Sequence, residues 1–417
     1  MRTLRGGETF MKDFASRGVA ARAAVAAAKL LLCAVTWACS NVRAVPAAQH
    51  GAMRMHPGRA AQGAHWEATT RSPQPVGSTG SASAEIRCGR RDAGLERVAE
   101  RWAHRMARGL PPLDGARLTL ALRSEGSPYL WPRVWAAQTS DPAPIQQRIE
   151  QWLEAFDGDG ERRCGMAAES TRRGGTAWAA VALRAKADLE DLPTRVRTGA
   201  WVDVRAKLLV KAWEAKVIVL GPTGAPRAVP TGLNQGSVRA GFIADRPGVW
   251  LVQVLSTLER GPEPVLEALV YVGMDAPGDL EFQRAPGETL THADGPADLK
   301  WLIDAARGSE GLPVLARDPA LDRVAQRHAE AMCSSRRLGH EIDGFGPLDR
   351  VEAAGLALRS TGENVAHAAS LEGAHRALWS SPSHRLNLLY AGYDAVGLGI
   401  APDPDGSVWV CELFGKR

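Results

Sequence analysis

The 417-residue sequence predicts an α+β protein built from several folded units. Three observations predict it: one helix pattern that occurs twice, a run of short strands between the two copies, and an alternating strand pair at the C-terminus. A chain of this length exceeds one ordinary core, which sets the expected number of domains at two or three.

The repeated pattern is Asp92-Ala-Gly-Leu-Glu-Arg-Val-Ala-Glu-Arg-Trp-Ala-His-Arg-Met106, which lines up without gaps on Asp318-Pro-Ala-Leu-Asp-Arg-Val-Ala-Gln-Arg-His-Ala-Glu-Ala-Met332. About half the positions are identical. Leu95, Val98, Ala99, Trp102, Ala103 and Met106 form the apolar stripe of the first copy, and Leu321, Val324, Ala325, His328, Ala329 and Met332 that of the second. The i, i+3, i+4, i+7 spacing is that of an amphipathic helix, with Asp92 and Asp318 as N-caps. A second short match, Ala121–Ser124 on Ala357–Ser360, adds to the case for duplication. His328 stands where the other copy has Trp102, which marks it as a core histidine.

Taken in order, residues 1–44 read as an export signal: a basic start, an apolar stretch over Ala23–Ala28 and Leu30–Cys39, and a small-x-small cleavage site at Val42-Arg43-Ala44. Translation from Met11 would give a more usual length. Lys29 interrupts the apolar stretch, which is too short to stay in a bilayer as a spanning helix. Cys39 raises lipidation as the alternative route to a membrane, against which Trp37 is bulky for the peptidase. Residues 45–84, rich in Pro, Gly, Ser, Ala and Gln, read as a disordered tether. The first helical copy lies in a unit over 85–197. Short β-branched or aromatic runs at 201–210, 216–220, 241–244, 249–255 and 266–272, divided by turn clusters, predict a β-sandwich over 198–274. A second linker covers 275–297, and the last unit covers 298–417.

Charge excludes one function class. Seven basic and two acidic side chains in residues 1–44 account for the whole formal charge of +5, so the exported remainder is near neutral. A nucleic-acid partner is therefore not expected despite the basic isoelectric point. Of six cysteines, Cys88, Cys164, Cys333 and Cys411 follow the signal, an even number for an oxidising compartment. Four cysteines permit three pairings, and domain locality favours Cys88–Cys164 with Cys333–Cys411. No CxxC pair supports a zinc ribbon.

In the last unit, Leu338-Gly-His340 follows the helix. Next come Asp349-Arg-Val-Glu-Ala-Ala-Gly355, Gly362-Glu-Asn-Val-Ala366, a helix over Leu371–Trp379, and Ser381-Pro-Ser-His-Arg-Leu-Asn-Leu-Leu389. Two alternating strands joined by Asp403-Pro-Asp-Gly406 close the chain. These blocks, in this order, resemble the CAP superfamily (cysteine-rich secretory proteins, antigen 5, pathogenesis-related 1) in its compact bacterial branch. The resemblance implies an α/β/α sandwich, with helices on both faces of a small antiparallel sheet. It also implies a cavity lined by His340, Glu363 and His384, matching the family's first histidine, first acid and second histidine. The place of the second acid reads Trp379-Ser-Ser-Pro, without a carboxylate. Glu412 on the final strand is the fringe candidate for that role. Asn364 and Asn387 are expected to hold loops by side-chain hydrogen bonds.

The unit over 85–197, if it shares this fold, is a degenerate copy. Ser127 aligns with Glu363, and neither a histidine after the first helix nor a Ser-Pro-x-His appears before Cys164. Two imidazoles and a carboxylate fill three of four positions of an open zinc site, so His340 and His384 are candidate metal ligands with zinc the candidate ion. Glu363 is the candidate catalytic group if there is one. The expected function is that of a secreted or periplasmic binding module without catalysis, taking a small-molecule or lipid ligand, a divalent metal or a cell-envelope component. A metal-assisted extracellular hydrolase is the competing reading, opposed by the absent second acid. Adhesion through the β-sandwich is a third.

Overall fold

The computed structural model describes residues 89–417 apart from 142, 157, 173, 260, 278–279 and 289–294. The expected signal at 1–44, the expected tether at 45–84, Cys39 and Cys88 lie outside the described residues. The described elements belong to one compact unit that leaves aside Pro402–Gly406.

The first unit comprises β1 (Arg90–Arg91), α1 (Ala93–Ala107), α2 (Gly115–Ser124), β2 (Arg133–Thr139), α3 (Ile145–Glu154), β3 (Glu161–Ser170) and β4 (Thr176–Ala185). Asp92 caps α1 by accepting from the Leu95 amide at 2.9 Å. Leu95, Val98, Ala99 and Ala103 from the predicted stripe are buried on the sheet, whose strand order is β1-β3-β4-β2. Strand β1 runs parallel to β3, pairing Arg90 with Arg163 and Arg91 with Cys164.

The chain then enters the sandwich through β5 (Ala187–Asp191) and β6 (Arg195–Val196). It continues with β7 (Ala200–Leu208), β8 (Glu214–Leu220), β9 (Arg227–Val229), β10 (Thr231–Asn234), β11 (Ser237–Ala244), β12 (Gly248–Leu258) and β13 (Gly261–Val272). One sheet has the order β10-β11-β7-β5 and the other β6-β13-β12-β8-β9. The sandwich thus begins near Ala187 rather than at 198. Strand β5 follows β4 after a single residue and pairs with β7, so no linker divides the two units. One apolar cluster joins Leu95 and Val98 of α1 to Val202, Val217, Trp250 and Val270 of the sandwich.

The last unit comprises α4 (Pro296–Ser309), β14 (Ala316–Arg317), α5 (Pro319–Ser335), α6 (Pro347–Ala353), β15 (Ser360–Ala368), α7 (Leu371–Trp379), α8 (Pro382–Leu389), β16 (Ala395–Pro402) and β17 (Val408–Lys416). Its sheet has the order β14-β16-β17-β15, with β14 parallel to β16. Alternation along β15 and β17 sends residues to two separate cores. Val365, Cys411 and Leu413 meet Leu321, Val324 and Val351 of α5 and α6. Ala366, Val410 and Phe414 meet Leu299, Ala374 and Leu388 of α4, α7 and α8. This is the α/β/α arrangement that the sequence implied. Part of the expected linker also packs here: Ala285 is buried in the second core, and Glu288 pairs with Arg376.

The first and last units share one chain order, namely a short strand, a capped helix, a strand that takes the far edge of the sheet, and then a hairpin that fills its centre. The amide of Asp92 donates to Cys164 at 3.0 Å, and that of Asp318 to Val396 at 2.9 Å. Gly165 and Gly397 sit where a Cβ would overlap the backbone beside Leu95 and Leu321 respectively. The second short match does not survive: Ala121–Ser124 ends helix α2, whereas 357–359 is loop leading into β15. Ser127 precedes β2, so it is not the strand counterpart of Glu363.

Three units meet at Glu267 of β13, which is 4% exposed. Its carboxylate pairs with Arg123 of α2 and accepts from Gln253 Nε2 at 2.6 Å. Gln253 in turn accepts from the Ser383 amide in the first turn of α8 at 3.0 Å. Arg385 of α8 donates to the Gly224 carbonyl at 3.1 Å. A buried carboxylate satisfied on both oxygens holds these elements in one register.

Candidate functional site

The site assembles around β15, an edge strand. Glu363 lies on it with its side chain 1% exposed. Its Oε1 stands 3.0 Å from His340 Nδ1; a carboxylate only accepts, so Nδ1 carries the proton. Arg350 of α6 bonds Oε2, and the Cys411 thiol donates to the same oxygen at 3.4 Å. His328 Nε2 stands 3.7 Å from Oε1 and donates to the Gly339 carbonyl at 3.0 Å. Burial alone would raise the Glu363 pKa. The His340 hydrogen bond and the charges of His328, Arg350 and His340 overcome it and hold the group at about 2.

Arg350 also fixes the loop that carries His340, donating to the carbonyls of His340 at 2.9 Å and Phe345 at 2.7 Å. His384, early in α8, has its ring 6.3 Å from that of His340. Its Nε2 is sealed from solvent and has no hydrogen-bond partner among the described residues. Burial, with smaller contributions from His340 and Arg123, pushes its pKa down to about 3, so the ring is neutral. His328 is pushed down to about 4, chiefly by burial. Asn364 donates to the His384 carbonyl at 3.1 Å and Asn387 to the Glu363 carbonyl at 3.2 Å; these are side-chain to backbone bonds, but they tie strand β15 to helix α8 instead of holding loops.

The covering residue comes from the first unit. Trp131 sets its ring edge-on to His340, with centroids 5.6 Å apart, and packs on the core of α5 and α6. Its φ is +58°, a conformation that bulky residues rarely adopt. Its Nε1 is buried without a partner among the described residues. Trp131 also lines a void of about 10 Å³ that has Arg123, Tyr129 and Glu267 among its other walls and room for one water at most. Alongside, Gly115 at the start of α2 donates to His367 Nδ1 of β15 at 3.2 Å, so this unit also shields the edge strand.

The three residues singled out from the sequence are therefore brought together, but two other expectations fail. Among the described residues no group of three His, Cys, Asp or Glu side chains is disposed to hold a metal ion, so the zinc expected at His340 and His384 gains no support. Both oxygens of Glu363 are engaged, one by a guanidinium whose charge opposes a cation beside it. Cys333 and Cys411 are buried in one cluster yet are not bonded. The Cys411 thiol is turned to Glu363, and sharing a core does not bring two Cβ atoms to disulfide geometry. Cys164 is buried and is not a free thiol, while its expected partner Cys88 lies outside the described residues. Glu412 does not replace the missing acid: it faces the opposite core, accepts from Asn364 at 3.0 Å and stands 3.8 Å from His375.

A family model described as the cysteine-rich secretory protein family, CAP, matches residues 302–413. This region is a CAP domain. An uncharacterised protein of Borreliella burgdorferi is 28% identical over 132 residues, covering 31% of this chain and 85% of its own length. Among solved structures, an outer surface protein of Borrelia burgdorferi is 28% identical, covers 30% of this chain and 96% of its own, and has a TM-score of 0.28. An extracellular SCP-domain protein of Bacillus anthracis is 15% identical, with coverage of 56% and 86% and a TM-score of 0.27. Arg350 of the CAP domain and the covering Trp131 of the first unit were not singled out from sequence, and His328, expected as a core histidine, is buried as expected but stands beside Glu363. The Asp349-Arg-Val-Glu block carried Arg350, but its partner could not be read from spacing.

Proposed function

We propose that this is an extracellular or surface-exposed binding protein whose CAP domain holds a small polar ligand without catalysing its turnover. One observation carries the reading: Trp131 Nε1 and His384 Nε2, set around His340, are buried without partners among the described residues. Buried ring nitrogens are ordinarily satisfied, and a ligand with one acceptor and one donor would satisfy both. Trp131 must shift to admit it. The hydrolase reading has less support, because Glu363 is held as a fully engaged carboxylate and cannot serve as a base while Arg350 and His340 bind it. The extracellular setting is supported by the signal-like start and by the CAP domain itself.

Native mass spectrometry of the full chain, purified from the cells that make it, is expected to show a small-molecule adduct that His384→Ala abolishes. An intact protein with no adduct would remove this reading. Trp131→Ala is expected to raise the NMR-detected titration midpoint of His384 by at least about one unit, since water then reaches the ring. An unchanged midpoint would show that Trp131 does not seal the site. Turnover of peptide, nucleic-acid or envelope-polymer substrates that disappears in Glu363→Gln would establish the hydrolase instead.

A further inference from the structure

The outer face of the β10-β11-β7-β5 sheet carries a second feature, unconnected with the CAP cluster. Strict alternation along β7 turns Trp201, Asp203, Arg205 and Lys207 outward and buries Val202, Val204 and Ala206. In register beside them on β11 stand Ile243, Gly241, Arg239 and Ser237. Trp201 is 61% exposed, yet it is held in place. Its indole lies over Gly241, where a Cβ would overlap the ring, and its Nε1 donates to Asp203 at 2.9 Å. The ring edge is thereby used, and one π-face is left open to solvent. Trp213, also exposed, differs in having Lys211 over its ring.

Arg205 and Arg239 are directly opposite each other, a like-charge pairing that opposes strand association. Among the described residues neither guanidinium makes a hydrogen bond or an ion pair. Lys207 extends the same row. A pinned aromatic platform followed by unpaired cations, over about 20 Å of strand from 201 to 207, suits a polymer of ring-shaped anionic units. We propose that this face binds an acidic polysaccharide, with a sugar ring stacked on Trp201 and its anionic groups on Arg205 and Arg239. Asp203 distinguishes this partner from a phosphodiester strand: its remaining lone pairs suit hydroxyl donors, which sugars supply in abundance. The proposal names a partner class and does not depend on a ligand in the CAP domain.

The test is affinity electrophoresis of the full chain in gels containing polygalacturonate, neutral dextran or single-stranded DNA. Retardation by polygalacturonate alone is expected, weakened by added salt. Trp201→Ala should weaken it at least about tenfold, the loss of one stacked aromatic. Gly241→Ala should do the same while keeping the tryptophan, because the new Cβ lifts the ring. Arg205→Gln with Arg239→Gln should remove the salt dependence. Unchanged thermal midpoints would show that the exposed substitutions leave the fold intact. Equal retardation by dextran, retardation by DNA alone, or polygalacturonate binding that survives Trp201→Ala would overturn the proposal.

Discussion

Replacing Glu363 with alanine is expected to destabilise the protein by about 3–5 kcal/mol, the cost of leaving a buried cation without its partner. Arg350 is mostly buried and would keep only carbonyl acceptors, while the His340 and Cys411 donors would lose theirs. Chemical denaturation measures it, and a loss below about 1 kcal/mol would mean that Arg350 reaches solvent instead. The same cluster sets an acid limit. Folding lowers the pKa values of His384 and His328 from 6.5 to about 3 and about 4. Between those values and 6.5 the unfolded chain binds more protons, so stability is full above pH 6.5 and falls as the pH drops. The slope is on the order of 1.4 kcal/mol per pH unit for each imidazole. Glu363, lowered from 4.5 to about 2, adds a further loss from about pH 4.5 downward. His384→Gln should remove one proton's worth of the slope between pH 6.5 and 4. A denaturation free energy independent of pH in that window would show that these rings are not buried neutral.

Gly397→Ala is expected to cost about 3 kcal/mol or more, an overpacking cost at the upper end because the obstacle is backbone. Helix α5 crosses β16 so closely that a Cβ at Gly397 would overlap the Leu321 carbonyl carbon, and one at Gly399 the Ala325 carbonyl. The helix would have to lift, and it carries His328 toward Glu363. Gly165→Ala should show the same class of loss, since Gly165 stands against the backbone of Leu95 and Glu96. Denaturation midpoints of the two variants provide the comparison. A neutral Gly165→Ala beside a damaging Gly397→Ala would show that the first sheet accommodates a moved helix and the second does not.

Much of the fold was legible because its signals are local. The Asp-capped stripes of α1 and α5, the helix at Leu371–Trp379 and the alternation of β7 follow from residues a few positions apart. Helix α4 was not identified within the last unit, although Leu299, Leu302, Ile303 and Ala306 carry the same helical spacing and are fully buried. The start of the sandwich was misplaced because β5 follows β4 with no turn-rich interval to mark the change of sheet.

By itself the sequence determined periodicity, capping, the order of blocks that identifies the CAP domain, and the three residues His340, Glu363 and His384. Only the tertiary structure decided what those residues do to one another. Arg350 engages Glu363, and Trp131 arrives from a separate unit to cover His340. Cys411 turns to a carboxylate instead of to Cys333. The physical reason is that hydrogen-bond saturation, burial and charge balance depend on the distances between groups remote in the chain. Spacing along the sequence carries no information about those distances until the sheet and its covering helices have formed.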